Sequence, residues 1–160
     1  MKRDRFNKSY LYSYLMIIRK AKKEDISKMF EILRINSPKY PKKLAFRELN
    51  EMFSKSLLRP TYIVAEDKKE ILAFGGFISS WVDNMVFNIF WVNTNPKHKN
   101  QGVGSKLMKD LINRIKKTKN PKPKMILIST KIPNFYKKFG FKKLTSKYDQ
   151  NYILMSLNLK

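Results

Sequence analysis

The 160-residue chain has no cysteine and a single histidine, His98. Without cysteine there can be no disulfide, no thiolate metal site and no cysteine nucleophile. One histidine leaves little from which to build a multi-histidine zinc site or a Ser-His-Asp relay, so no metal is expected. Long apolar runs are also missing. Leu11 to Ile18 contains two tyrosines and falls well short of the ~18–20 apolar residues that span a bilayer. No small-residue cleavage site follows it, so the reading expects no signal peptide, no membrane association and a cytoplasmic location. Acids are scarce, with 12 Asp+Glu against 35 Lys+Arg and a formal net charge of +23.

What is present points to a packed protein. Hydrophobic residues make up 42% of the chain, enough to build a core rather than remain disordered. The positive charge is uneven: between Lys97 and Lys147 stand 16 Lys/Arg and one acid, Asp110. A field of that sign draws polyanions such as nucleotides, RNA and ribosomal surfaces. The chain also holds 28 lysines, 15 isoleucines and 13 asparagines, a composition that A/T-rich coding produces. Charge alone therefore assigns no nucleic-acid role.

Residues 1–15 read as a basic appendage, and Met16 is a second candidate start. From 16 to 160 a single domain is expected. Met16–Arg19 reads as a strand. A helix follows with Ile26, Met29, Phe30 and Leu33 on one face and Glu24 and Asp25 in its first turn. Ser37–Pro41 breaks it. A second helix begins near Leu44, with Phe46, Leu49, Phe53 and Leu57 as its stripe, and Pro60 stops it. Thr61–Ala65, Ile71–Trp81 and Met85–Thr94 are three strands with short turns, an antiparallel meander, and Gly75-Gly76 is a candidate bulge. A long helix carries Val103, Leu107, Leu111, Ile112 and Ile115. Met125–Ile128 is a short buried strand. Ile132, Phe135, Tyr136 and Phe139 form a short helical stripe, and Tyr152–Leu157 is the last strand.

The most telling stretch lies between the third strand of the meander and the long helix: Lys99-Asn100-Gln101-Gly102-Val103-Gly104-Ser105. A glycine loop at a helix start presents unpaired backbone N–H groups at the positive end of the helix dipole, an anion site suited to phosphate. The spacing is neither that of a P-loop nor that of a dinucleotide fold.

Asn95-Pro96-Lys97-His98-Lys99-Asn100-Gln101-Gly102-Val103-Gly104 resembles the acetyl-CoA signature of the GNAT superfamily of N-acetyltransferases, Arg/Gln-x-x-Gly-x-Gly/Ala. Phe135-Tyr136-Lys137-Lys138-Phe139-Gly140-Phe141 resembles that family's Phe-Tyr-x-x-x-Gly-Phe. The element order is similar over residues 16–159. The resemblance implies an α/β (α+β-like) fold: a mixed, mostly antiparallel sheet of six or seven strands with about four helices, splayed between the fourth and fifth strands. It implies acetyl-CoA as co-substrate, with Lys99, Asn100, Gln101, Gly102, Val103, Gly104 and Ser105 around the pyrophosphate. Val92 and Thr94 would lie along the pantetheine arm, and Phe135 and Tyr136 beside it. It further implies a Val92 N–H aimed at the thioester carbonyl and Tyr136 as general acid toward the leaving thiolate, by direct attack of a primary amine in a ternary complex.

Departures from the pattern sharpen these expectations. Lys99 stands where Arg or Gln is usual and lacks the planar fork. Asn88 occupies the position at which some members carry a glutamate base. It cannot take a proton and would position a water. The nearest acids are Asp83 and Glu66, and His98 is placed at the phosphate end. Residues 24–60 and the last strands are expected to set the acceptor, with Pro38–Pro41 and Trp81–Asp83 as walls. Valine at Gly102 or Gly104 is expected to weaken CoA binding with little loss of fold. Two other readings use the same fold: a basic protein associated weakly with RNA or the ribosome, and a CoA-binding regulator without turnover. Monomer and homodimer are both compatible with the sequence.

Overall fold

A computed structural model describes residues 16–160; the basic segment 1–15 lies outside them. The strands are β1 (Ile17–Lys20), β2 (Thr61–Asp67), β3 (Glu70–Ser79), β4 (Val86–Thr94), β5 (Met125–Thr130), β6 (Lys142–Lys143) and β7 (Ile153–Asn158). The helices are α1 (Ile26–Asn36), α2 (Lys42–Asn50), α3 (Val103–Lys116) and α4 (Pro133–Lys137). One seven-stranded sheet runs in the order β1-β2-β3-β4-β5-β7-β6. Every neighbouring pair is antiparallel except β4 and β5.

The sheet is covered on both faces, and β2 shows why its sequence is apolar throughout. Side chains alternate across a strand. Tyr62 and Val64 belong to a cluster with α1 and α2, whereas Ile63 and Ala65 belong to a cluster with α3. The expected α3 stripe of Val103, Leu107, Leu111, Ile112 and Ile115 is buried, and Met108 joins it.

The feature that opens the sheet is the short contact between its parallel strands. β4 and β5 pair only from Val86 to Asn88 against Met125 to Leu127. Beyond that point β4 stays on β3, while β5 continues along β7 as far as Thr130 and Ile153. The two strands separate, and a cleft opens between their C-terminal halves.

Two sequence expectations are corrected. Of the expected α2 stripe of Phe46, Leu49, Phe53 and Leu57 only Leu49 is buried, and Ala45 joins it. The helix ends at Asn50, Phe46 lies half out of the protein at 52% exposure and Leu57 is fully exposed. The cause is local. The Glu51 carboxylate accepts hydrogen bonds from the Ser54 and Ser56 hydroxyls, tightening the chain into a turn well before Pro60. The bulge is the second correction. The extra residue sits on β4, because Phe74 pairs with Asn93 and Gly76 with Phe90. Gly75 therefore faces both Trp91 and Val92. A Cβ at Gly75 would stand 2.9 Å from Leu111 Cδ1 and 3.4 Å from Val92 Cγ2, so glycine lets the bulged strand and α3 close on this point.

At the other edge, Arg19 ties β1 to its surroundings. Its guanidinium donates to Asp25 Oδ1 at 3.0 Å and Oδ2 at 2.7 Å, and its Nε donates to Glu66 Oε2 at 2.7 Å. Burial pushes the Asp25 carboxyl up, but the Arg19 bonds and the Lys22 amide outweigh it and hold it below the usual carboxylate range. A group with a depressed folded pKa stabilises the fold above its unfolded pKa, near 3.9, and loses that contribution as pH falls through the folded value. Acid destabilisation from this cluster is expected below about pH 4. Arg19→Met leaves a buried carboxylate without its cation. It should cost about 2 kcal/mol at pH 7 and flatten the fall in stability below about pH 4, because burial then raises the Asp25 carboxyl with no guanidinium to hold it down. Urea midpoints measured between pH 3 and pH 7 test this, and an unchanged profile would show that the pair contributes nothing.

Candidate active site

A cleft of about 660 Å³ occupies the gap between β4 and β5. Its walls include Val92 and Thr94 from β4, Lys99, Asn100, Gly102, Val103, Gly104 and Ser105 from the glycine loop and α3, and Phe135 and Tyr136 from α4. The sequence expectation names these ten residues among its site residues, and three separate segments bring them to one cavity. Two named residues do not bring their side chains to it. Gln101 folds its side chain back, with Nε2 donating to the Lys97 carbonyl at 3.2 Å. Asn88 pairs with Ile78 of β3 and Leu127 of β5, below the point where the strands part, and does not line the cleft.

The loop end of the cleft is built for an anion. Gly102 caps α3 at φ +80, a left-handed conformation that glycine adopts at little cost. No side chain caps the helix and no acid stands in its first turn. The amides of the first turn have no acceptor within the helix, and the dipole adds positive potential. Lys99 and Lys138 line the same cavity, and Lys138 Nζ lies 4.9 Å from the centre of the Phe135 ring. Gly104 is the tight point, since a Cβ there would be 3.1 Å from Thr94 Oγ1 and 3.7 Å from Phe135 Cζ.

The other end is apolar and holds one hydroxyl. Tyr136 is buried, edge-on to Phe135 at 4.9 Å and to Phe141 at 6.1 Å. Burial pushes its phenol up to about 12, partly offset by a hydrogen bond with the Thr130 side chain. The hydroxyl therefore keeps its proton across the physiological range. Nearby, Trp91 of the β4 bulge has φ +49. A non-glycine residue in that region costs on the order of 1–3 kcal/mol and persists only where its surroundings hold it. Here the Trp91 Nε1–H donates to Glu48 Oε2 at 2.9 Å and the Tyr40 ring packs edge-on at 4.7 Å.

The acids named as nearest to the chemistry are otherwise engaged. Glu66 is held by Arg19. Asp83 accepts the Met85 amide in an exposed turn. His98 Nε2 lies 3.0 Å from Glu70 Oε1. Trp81 and Val82, expected as acceptor walls, are 82% and 97% exposed and line neither large cavity. Sequence reasoning missed Asn36, whose Nδ2 donates to Asn93 Oδ1 at 3.1 Å and to the Thr94 carbonyl at 3.0 Å. That bond fixes the end of β4 to the end of α1 across 57 residues of chain, a link no local pattern announces.

Among the described residues no cluster of histidine and carboxylate side chains could hold a metal ion, and no helix is long and apolar enough to cross a membrane.

A mostly antiparallel sheet parted at its one parallel pair, with an uncapped glycine-led helix at the opening, is the architecture that the resemblance to the GNAT acetyltransferases implies. The family model for the acetyltransferase (GNAT) domain matches residues 59–143, and the chain belongs to that family. Solved structures agree. A GNAT-family acetyltransferase from Staphylococcus aureus is 18% identical with a TM-score of 0.72, covering 91% of this chain and 99% of that one. An aminoglycoside 6'-N-acetyltransferase complexed with coenzyme A is 15% identical with a TM-score of 0.72, covering 89% and 96%. The ribosomal-protein-S18-alanine N-acetyltransferase of Escherichia coli is 14% identical with a TM-score of 0.70, covering 91% and 94%. At these identities the likeness is one of fold. No curated protein matches the sequence.

Proposed function

We propose that the protein is an N-acetyltransferase that moves an acetyl group from acetyl-CoA to a primary amine by direct attack in a ternary complex. The observation that carries this reading is the single cleft that gathers the glycine loop, the bulged end of β4 and Tyr136 at the parting of the sheet. When bound, acetyl-CoA supplies a thioester whose carbonyl carbon accepts the amine lone pair as the C–S bond breaks.

The residues divide the work along the cleft. The loop from Lys99 to Ser105 holds the pyrophosphate through backbone amides, with Lys99 and Lys138 adding charge. Val92 and Thr94 run beside the pantetheine arm. The bulge gives the Val92 N–H a direction different from the regular ladder, so that it serves as the donor to the negative charge developing on the carbonyl oxygen. Tyr136 faces the sulfur. Moving a proton fully from a phenol near 12 to a thiolate of pKa about 8.5 is uphill by about 5 kcal/mol. Tyr136 therefore acts as a hydrogen-bond donor that stabilises the thiolate, and water completes its protonation. Asn88 lies outside the cleft and takes no part.

Titration calorimetry with acetyl-CoA, followed by CoA-thiol release against a panel of amines, tests the reading. Micromolar acetyl-CoA binding with amine-dependent thiol release supports it. Binding without turnover makes the protein a CoA-binding regulator. Salt-sensitive RNA binding with no CoA binding replaces the reading with a nucleic-acid role.

A further inference from the structure

A second cavity, of about 520 Å³, lies on the α2 side of the sheet and is lined by Tyr40, Tyr62, Phe90, Trp91, Glu48 and Glu51 among others. One of its walls carries a carboxylate held in place by aromatic donors. Glu48 Oε1 accepts from the Tyr40 hydroxyl at 2.7 Å, and Glu48 Oε2 accepts from Trp91 Nε1 at 2.9 Å. The Tyr62 hydroxyl donates to the Glu48 backbone carbonyl at 3.2 Å. The rings brace one another, Tyr40 edge-on to Trp91 at 4.7 Å and Tyr62 edge-on to Phe90 at 5.8 Å.

The carboxylate of Glu48 is held without a cation. Asp25 and Glu66 are paired with Arg19, Asp110 with Arg114 and Glu70 with His98. Glu48 is in no ion pair among the described residues, and both bonds to its carboxylate come from uncharged donors. Each carboxylate oxygen keeps a free lone pair. Glu51 adds a second acid, steadied by Ser54 and Ser56, and Arg47, which also lines the cavity, acts electrostatically on Glu51. A fixed carboxylate among four aromatic rings is the chemistry that recognises an organic cation, through charge and the negative faces of the rings. An anionic or neutral ligand would leave that carboxylate without a counter-charge.

The cavity also adjoins the cleft. Trp91 lines it while the next residue, Val92, lines the cleft, and in the α1–α2 connection Tyr40 lines it while Ser37 lines the cleft. We infer that this cavity holds the acceptor, and that the acceptor is a small amine that also carries a cationic group: that group sits on Glu48 within the aromatic walls, and the unprotonated amine reaches the cleft. Its role as acceptor site rests on the acetyltransferase reading above; its selectivity for cations does not.

Trp91 provides a direct test. The protein has two tryptophans, and Trp81 is 82% exposed, so Trp81→Phe leaves Trp91 as the only reporter. In that background, benzylamine should change the fluorescence saturably. Benzyl alcohol, the neutral match, should bind at least tenfold more weakly. Glu48→Gln keeps an acceptor for Trp91 and a partner for Tyr40. It should preserve the thermal midpoint, weaken benzylamine at least tenfold and leave acetyl-CoA affinity within twofold. With acetyl-CoA present, the same variant should raise KM for cationic amine acceptors at least tenfold. Equal binding of benzylamine and benzyl alcohol, or equal benzylamine affinity with and without Glu48→Gln, overturns the cation site. An unchanged KM overturns its role as acceptor site. Loss of acetyl-CoA binding in the unsubstituted protein instead refutes the acetyltransferase reading and is seen separately by calorimetry.

Discussion

Tyr136→Phe should lower kcat about 100-fold or more while leaving the acetyl-CoA Kd within about twofold. A positioned acid or donor contributes ~10²–10⁴-fold, and a 100-fold loss corresponds to about 2.7 kcal/mol of transition-state stabilisation. The substitution removes one oxygen from a ring packed between Phe135 and Phe141. The substitution also takes away the phenol oxygen that the Thr130 side chain bonds, at a cost of about 1 kcal/mol, while Thr130 keeps its bond from the Ile132 amide. The pH profile makes the test more specific. The phenol, pushed up to about 12 by burial, is in its proton-bearing form throughout the assay range. Rate should rise with pH as the acceptor amine loses its proton, with no descending limb below about pH 11. A variant that keeps half the wild-type kcat would remove Tyr136 from the mechanism.

Gly104→Val should weaken acetyl-CoA binding at least 30-fold, about 2 kcal/mol, with a fall in the ligand-free thermal midpoint of only a few degrees. The Cβ would already press on Thr94 Oγ1 at 3.1 Å and approach Phe135, and the two added methyls must then enter the cleft. Gly102 is the instructive contrast, and it corrects the expectation that valine at either glycine tests the site alike. A Cβ at Gly102 meets nothing within 4 Å, but its φ of +80 strains any L-residue there. Gly102→Ala should thus cost on the order of 1–2 kcal/mol of loop stability with a smaller loss of affinity, and a β-branched residue would disturb the loop itself. Calorimetry on both variants separates crowding from strain. If Gly104→Val binds acetyl-CoA normally, the loop does not hold the pyrophosphate.

Most of the cleft was legible in the sequence because it is made of short contiguous pieces. The loop from Lys99 to Ser105 and the Phe135-Tyr136 pair are local patterns, and ten of the named residues line one cavity. Gln101 stays within the loop, but its side chain returns to the Lys97 carbonyl, a choice between two directions that no local pattern fixes. Asn88 was misplaced because strand register, not sequence spacing, decides where β4 and β5 part. The α2 stripe failed because the helix is only nine residues long. Over so short a span, several phases of the apolar pattern fit equally well until the sheet selects one.

The sequence by itself determined the elements whose periodicity is long enough to have one solution: the alternating strands of the meander, the α3 stripe and the glycine-led helix start. These depend on chain geometry within a few residues. Only the tertiary structure decided the features that join distant segments. The parting of β4 from β5, the left-handed Trp91 at the bulge, the Asn36 bond to β4, and the carboxylate of Glu48 set against Trp91 across 43 residues of chain belong to that group. No local propensity encodes such contacts, because each exists only after packing brings the two partners within a hydrogen bond of each other.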